Sequence, residues 1–146
     1  MKVESSAFKN GESIPAKYSC QGNDINPQLT FFDVPDSAKS LALIMDDPDA
    51  PGGTWVHWVI WNISPRTKQI DENSVPVNAV QGKNSWGRSS YGGPCPPSGT
   101  HRYYFKVYAL DTNLSLSSSG DKKQLQDAMK DHVVAKGELM GTYKKK

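Results

Sequence analysis

The chain has 146 residues, a formal net charge of +2, and 22% charged against 36% apolar side chains. That length suits a single domain, residues 1–146, large enough to bury a core without staples. So small a charge leaves no footprint for nucleic acid or an anionic membrane. No apolar run approaches the ~20 residues that span a bilayer, and the polar stretch from Met1 to Gly11 lacks an apolar signal core. A cytoplasmic address is therefore expected.

Along the chain, Val3 to Phe8 and Gln28 to Phe32 are weak strand candidates, separated by the turn-rich stretch Gln21 to Pro27. Ser40 to Met45 and Trp55 to Ile63 are short apolar runs rich in β-branched and aromatic residues, bounded by turn signals, and both read as strands. Gln81 to Thr100 is a long glycine- and proline-rich loop, and a loop of that length in a small domain is usually functional or disordered. Its Trp86 and Tyr91 speak against disorder. His101 to Leu110 alternates, with His101, Tyr103, Phe105, Val107 and Ala109 on one side and Arg102, Tyr104, Lys106 and Tyr108 on the other. A helix is predicted from Asp121 or Lys122 to about Lys130, capped by Asp121. A final strand is predicted over Val133 to Tyr143, where Gly137 and Gly141 weaken a helix. Many strands and one late helix describe a mainly β sandwich with a helical appendage.

The two cysteines, Cys20 and Cys95, make no Cys-x-x-Cys pair and no disulfide framework. Free, partly buried thiols are expected in a reducing compartment, although Cys95 borders the long loop and leaves the proximity of the two sulfurs open.

Three positions draw attention as chemistry. Asp47 lies where the Ser40 strand runs out, on the side of Leu41, Leu43 and Met45. His57 lies near the start of the Trp55 strand, and His101 opens the alternating one. If those strand ends are neighbours, the three side chains converge on one rim. A carboxylate that holds one imidazole nitrogen fixes the ring's tautomer. Two such rings beside a glycine-rich loop offer ring and backbone N–H donors to an oxyanion such as phosphate. The plainer alternative is that strand histidines are structural hydrogen-bonders. A two-His-one-carboxylate metal triad and a Ser/His/Asp hydrolase are the enzymatic alternatives for Asp47, His57 and His101. No His-x-His, His-Glu-x-x-His, Gly-x-Ser-x-Gly, phosphate-loop or dinucleotide fingerprint accompanies them.

The segments Asp47-Pro48-Asp49-Ala50-Pro51, Trp55-Val56-His57-Trp58 and Gly93-Pro94-Cys95-Pro96-Pro97-Ser98-Gly99-Thr100-His101-Arg102-Tyr103 resemble, in order, the signature segments of the phosphatidylethanolamine-binding protein (PEBP) family. Cys20 to Leu29 and Tyr108 to Asp111 look like its bacterial and archaeal branch, and the resemblance runs from about Phe8 to Tyr143. It implies a β-sandwich of two antiparallel sheets with an anion pocket at one end and a short helix near the C-terminus. It also implies phosphate-like or phospholipid head-group ligands, in a family that includes the Raf kinase inhibitor protein and inhibitors of serine proteases.

Carried over by motif, Asp47, His57, His101 and the Tyr103 hydroxyl line the pocket, while Pro94, Pro96 and the backbone at Gly93 form a wall. Asp49 and Arg102 hold loops, and His132 matches no pocket position. Trp55, with Trp86 and Tyr91, is a candidate rim anchor, the alternative being that these rings pack in the core or loops. The loop between Pro51 and Trp55 is only Gly-Gly-Thr, and the chain ends after the final strand without the closing helix of animal members, which implies a more open pocket. The reading is a binding or regulatory protein and not an enzyme. It expects no cofactor and no metal, a kinase or protease as protein partner, and room for a homodimer.

Overall fold

The computed structural model describes residues 1–146 and contains eight strands and one α-helix. The strands are β1 (Lys2–Glu4), β2 (Leu29–Phe32), β3 (Ser40–Asp47), β4 (Trp55–Ile63), β5 (Gln69–Ile70), β6 (Val80–Gln81) and β7 (Thr100–Leu110). Helix α1 (Lys122–Met129) follows, and β8 (Val133–Lys144) comes last. Two antiparallel sheets result, one of three strands in the order β1-β2-β5 and one of five in the order β6-β4-β3-β7-β8. The mainly β sandwich expected from the sequence is therefore the fold.

Alternation along β7 works as expected. Tyr103, Phe105, Val107 and Ala109 are buried against Val3, Leu29, Phe31 and Ile70 of the smaller sheet. Each large apolar side chain fully removed from water there contributes roughly 1.5–3 kcal/mol. Central strands β3 and β4 do not alternate because both of their faces are covered. Leu41, Leu43 and Met45 point into the inter-sheet core. Ala42, Ile44, Val59 and Trp61 meet Leu125 and Met129 of α1 on the opposite face. The helix start is a capping box, in which Asp121 accepts from the Gln124 N–H at 3.0 Å and Gln124 accepts from the Asp121 N–H at 3.1 Å.

The same alternation sends the two aspartates at the end of β3 to opposite faces. Asp46 is buried on the helix side, where Lys106 and Lys122 pair with it at 3.2 and 2.8 Å. Asp47 turns to the other face, at the end of the core. A register shift against β4 between Met45 and Asp46 accompanies this divergence.

Two expectations change. The first strand is only Lys2–Glu4, and β5 and β6, of two residues each, are too short to leave a periodic signal. More importantly, Cys20 and Cys95 are not free thiols: they form a disulfide, with Cα atoms 5.5 Å apart. The long loop folds back onto the segment around Tyr18 to Asp24, and the Cys20 N–H donates to the Pro94 carbonyl at 3.1 Å. That backbone bond brings the two sulfurs together across 75 residues of sequence. No helix is long and apolar enough to cross a membrane.

Candidate anion-binding site

In the larger sheet β3 lies between β4 and β7, so the end of β3 and the beginnings of its two neighbours are forced together. Asp47 pairs with Trp55, and Asp46 with Tyr104. Asp47, His57, His101 and Tyr103 thereby line one cavity of about 460 Å³, together with Trp55, Gly93 and Pro96.

The buried His101 ring places Nδ1 at 2.7 Å from Asp47 Oδ2. The other carboxylate oxygen, Oδ1, accepts the Asp49 N–H at 2.8 Å. Asp47 is thus a positioning group for a histidine and for its own loop. His57 is held differently, with its Nδ1 at 2.7 Å from the Gly92 carbonyl. A carbonyl only accepts, so Nδ1 carries the proton and the Nε2 lone pair is left bare in the neutral ring. Burial pushes the His57 pKa below its ordinary value, with the Gly92 carbonyl and the Asp47 charge opposing. Neither Nε2 atom is bonded within the protein, so both rings keep that edge for the cavity.

Tyr103 sits between them, its ring centroid 5.2 Å from His57 and 6.5 Å from His101. Its hydroxyl is buried with no hydrogen bond of good geometry, although the Asp47 carboxylate and the Cys95 backbone lie close to it. Burial and the Asp47 charge raise its pKa, so it stays a neutral donor. An unpaired buried hydroxyl costs about 1–3 kcal/mol.

The glycine loop acts otherwise than expected. The Gly93 N–H donates to Asp24 Oδ1 at 2.8 Å, and the Gly92 N–H to the His57 carbonyl at 3.0 Å. Neither amide is free for an anion. Glycine is required at 93 by close approach, since a Cβ there lies 2.2 Å from the Tyr18 carbonyl oxygen. Pro96 does form wall, but Pro94 is not among the cavity-lining residues, and its carbonyl serves Cys20.

Other side chains sort clearly. Arg102 grips Asp49 through Nε and Nη2 at 2.9 and 2.8 Å, which ties the loop after β3 to β7 and holds the Asp49 carboxyl down to about 2. His132 follows α1 and pairs with Asp111 at 2.8 Å, away from the cavity. Trp55 and Trp86 line the cavity, whereas Tyr91 packs edge-on against Trp58 and donates to the Tyr18 carbonyl. Asp24 and Arg88 also line it and were not singled out from the sequence. Lone charges in turn-rich segments carry no signal.

A two-sheet sandwich whose strand ends gather an aspartate, two histidines and a tyrosine around one cavity defines a class, and comparison with known proteins gives it a family. The family model described as phosphatidylethanolamine-binding protein matches residues 4–144. The chain belongs to the PEBP family.

A UPF0098 protein of Pyrococcus horikoshii is 50% identical over 150 residues, covering 97% of this chain and 76% of that protein. A UPF0098 protein of Chlamydia trachomatis is 49% identical over 150 residues, covering 99% of each chain. Among solved structures, a PEBP homologue from Chlamydia trachomatis has a TM-score of 0.96 at 49% identity, covering 99% of this chain and 97% of its own. Escherichia coli YbcL, described as a new member of the mammalian PEBP family, has a TM-score of 0.93 at 32% identity, with 99% and 98% covered.

Proposed function

We propose that this protein binds a phosphate-like oxyanion at the Asp47–His57–His101–Tyr103 cluster and acts through that binding, as a regulatory or head-group-binding protein and not as an enzyme. The observation that carries the reading is the buried, unpartnered Tyr103 hydroxyl flanked by two imidazoles whose Nε2 edges have no protein partner. A ligand that accepts one hydrogen bond from Tyr103, and one from each ring once protonated, removes the penalty of the unpaired group.

The chemistry of the wall favours binding over turnover. No serine or threonine lines the cavity, and its two cysteines are joined to each other. Asp47 gives its two oxygens to His101 and to a backbone amide, and no three His, Cys, Asp or Glu side chains are grouped to hold a metal. On this reading the anion is a phospholipid head group or an acidic or phosphorylated side chain of a partner protein. Free phosphoethanolamine binds weakly, at about 0.1–10 mM, because a small polar fragment has few contacts.

Calorimetric titration with inorganic phosphate tests the reading, using the wild type and the His57→Ala/His101→Ala double variant. Binding lost in the variant supports it, and equal binding by both proteins overturns the site assignment. For localisation, the expected cytoplasmic address stands against an exposed cysteine in a disulfide, which persists mainly in oxidising compartments. Thiol alkylation in intact cells separates the two.

A further inference from the structure

The cavity wall has two unlike parts. One is an aromatic shoulder, where Trp55 and Trp86 stand exposed. The other is sulfur: Cys20 and Cys95, joined to each other, line the same cavity as His57, His101 and Tyr103. Cys20 is exposed and Cys95 half-buried, so the bond is open to a reagent from solvent. Structural disulfides resist reduction, whereas exposed ones are the labile, regulatory kind.

The backbone holds the two cysteine segments together without the bond. The Cys20 N–H donates to the Pro94 carbonyl at 3.1 Å, and the Gly93 N–H to Asp24 Oδ1 at 2.8 Å. The Tyr91 hydroxyl donates to the Tyr18 carbonyl at 2.7 Å. Once reduced, the thiols therefore stay neighbours, and proximity favours their closing again. The chain has no third cysteine to exchange with, so the pair is either bonded or fully reduced. The same loop also touches the binding donors. The Gly92 carbonyl orients the His57 ring at 2.7 Å, and the Cys95 backbone lies close to the Tyr103 hydroxyl. Two thiol sulfurs need van der Waals separation where a disulfide has a covalent bond, so reduction displaces the Cys95 side. The segment from Gly92 to Pro96 then loosens beside two of the three donors.

We propose that the Cys20–Cys95 disulfide is a reversible redox switch on the oxyanion site, opened by a dithiol, and that opening it weakens anion binding. This rests on the oxyanion reading above and adds its regulation. A thiolate of the dithiol attacks the exposed Cys20 Sγ, and the Cys20–Cys95 bond breaks with its electron pair leaving on Cys95. The second thiolate then attacks the reductant's own sulfur in that mixed disulfide and expels Cys20 as a thiolate. The dithiol ends as a disulfide and both cysteines have gained its two electrons. The two protons it shed return through water to the cysteine sulfurs.

The test uses the full chain with and without dithiothreitol, in the absence of denaturant. Thiol alkylation followed by mass measurement counts the reduced sulfurs, circular dichroism follows the fold, and calorimetry with inorganic phosphate reads the site. Both sulfurs should be reduced together with the far-ultraviolet spectrum retained. The bond should re-form once dithiothreitol is replaced by oxidised glutathione. Phosphate affinity should fall about tenfold on reduction, the equivalent of one hydrogen bond to an anion. The Cys20→Ser/Cys95→Ser variant should bind as weakly as the reduced protein in either buffer. Reduction that needs denaturant, or that does not reverse, overturns the switch. Equal phosphate affinity of the oxidised and reduced protein overturns it too, and leaves the oxyanion site standing. Phosphate bound by neither form removes the oxyanion reading, and the switch with it. An affinity that still follows dithiothreitol in the double variant assigns the effect to the buffer and overturns the proposal as well.

Discussion

Asp47 and His101 lie 54 residues apart in sequence, and their side chains meet at 2.7 Å in a buried contact at the foot of the cavity. The pairing follows from strand order alone: β3 and β7 run antiparallel side by side, so the end of one is the beginning of the other. Asp47→Asn keeps the volume and removes the carboxylate that accepts from His101 Nδ1 and orients the ring. Loss of a hydrogen bond to a charged group destabilises by about 1.5–3 kcal/mol. Urea unfolding should show that loss, and phosphate titration at neutral pH should show weaker binding than wild type.

Anion binding should strengthen as pH falls. His57 gives its Nδ1 proton to the Gly92 carbonyl, so Nε2 becomes a donor only on protonation, which burial disfavours in the unliganded protein. A bound oxyanion reverses that preference, so binding takes up a proton. Sulfate is the cleaner probe, because it does not titrate in this range. Its affinity should rise between pH 8 and about pH 5.5, with proton uptake measurable in buffers of different ionisation enthalpy. Sulfate affinity independent of pH would contradict a role for His57.

The same shift predicts a stability change of defined sign. The folded-state pKa of His57 lies below the ordinary 6.5, so the unfolded chain binds the proton more readily. Its stabilising contribution is complete above the unfolded value and is lost as pH falls from there through the folded value. In ligand-free buffer, wild type should lose more stability than His57→Gln when denaturant midpoints at pH 7.5 and pH 5 are compared.

Removing the disulfide tests how the wall is held. Cys20→Ser with Cys95→Ser opens a loop of sequence separation 75. Constraints on loops of this size are worth typically about 2–4 kcal/mol. The hydrogen bonds Cys20 N–H to Pro94 and Gly93 N–H to Asp24 remain, so the fold should persist with a lower midpoint. Unchanged urea midpoints for oxidised and dithiothreitol-treated wild type would show that the wall does not depend on the bond.

Asn84→Ala should release the aromatic shoulder. Its side chain satisfies the Trp86 and Arg88 amides and the Ser90 carbonyl, and stranding such groups destabilises by about 1–3 kcal/mol each where water does not replace the partner. Tryptophan emission should shift to the red in the variant with the far-ultraviolet circular dichroism retained. An unshifted spectrum means that Trp86 holds its place without Asn84.

What the sequence determined by itself is local or repeated. Period-two patterning in His101 to Leu110 set the faces of β7, the Asp121 cap set the start of α1, and the exit of Asp47 on the face of Leu41, Leu43 and Met45 was readable from alternation. The ordered PEBP-like segments carried the family, and with it the sandwich of two sheets. What only the tertiary structure decided depends on contacts between segments that have no pattern to betray them. The Cys20–Cys95 disulfide exists because two loops fold back on each other, and residue spacing is silent on that. Asn84 reads as an ordinary loop residue, yet it is buried and organises the loop from Trp86 to Ser90. Tyr91, Trp55 and Trp86 are equivalent by composition. Tyr91 packs against Trp58 while the other two line the cavity, Trp55 from the start of β4 and Trp86 from the turn closed by Asn84, where Gly92 leaves room for the indole.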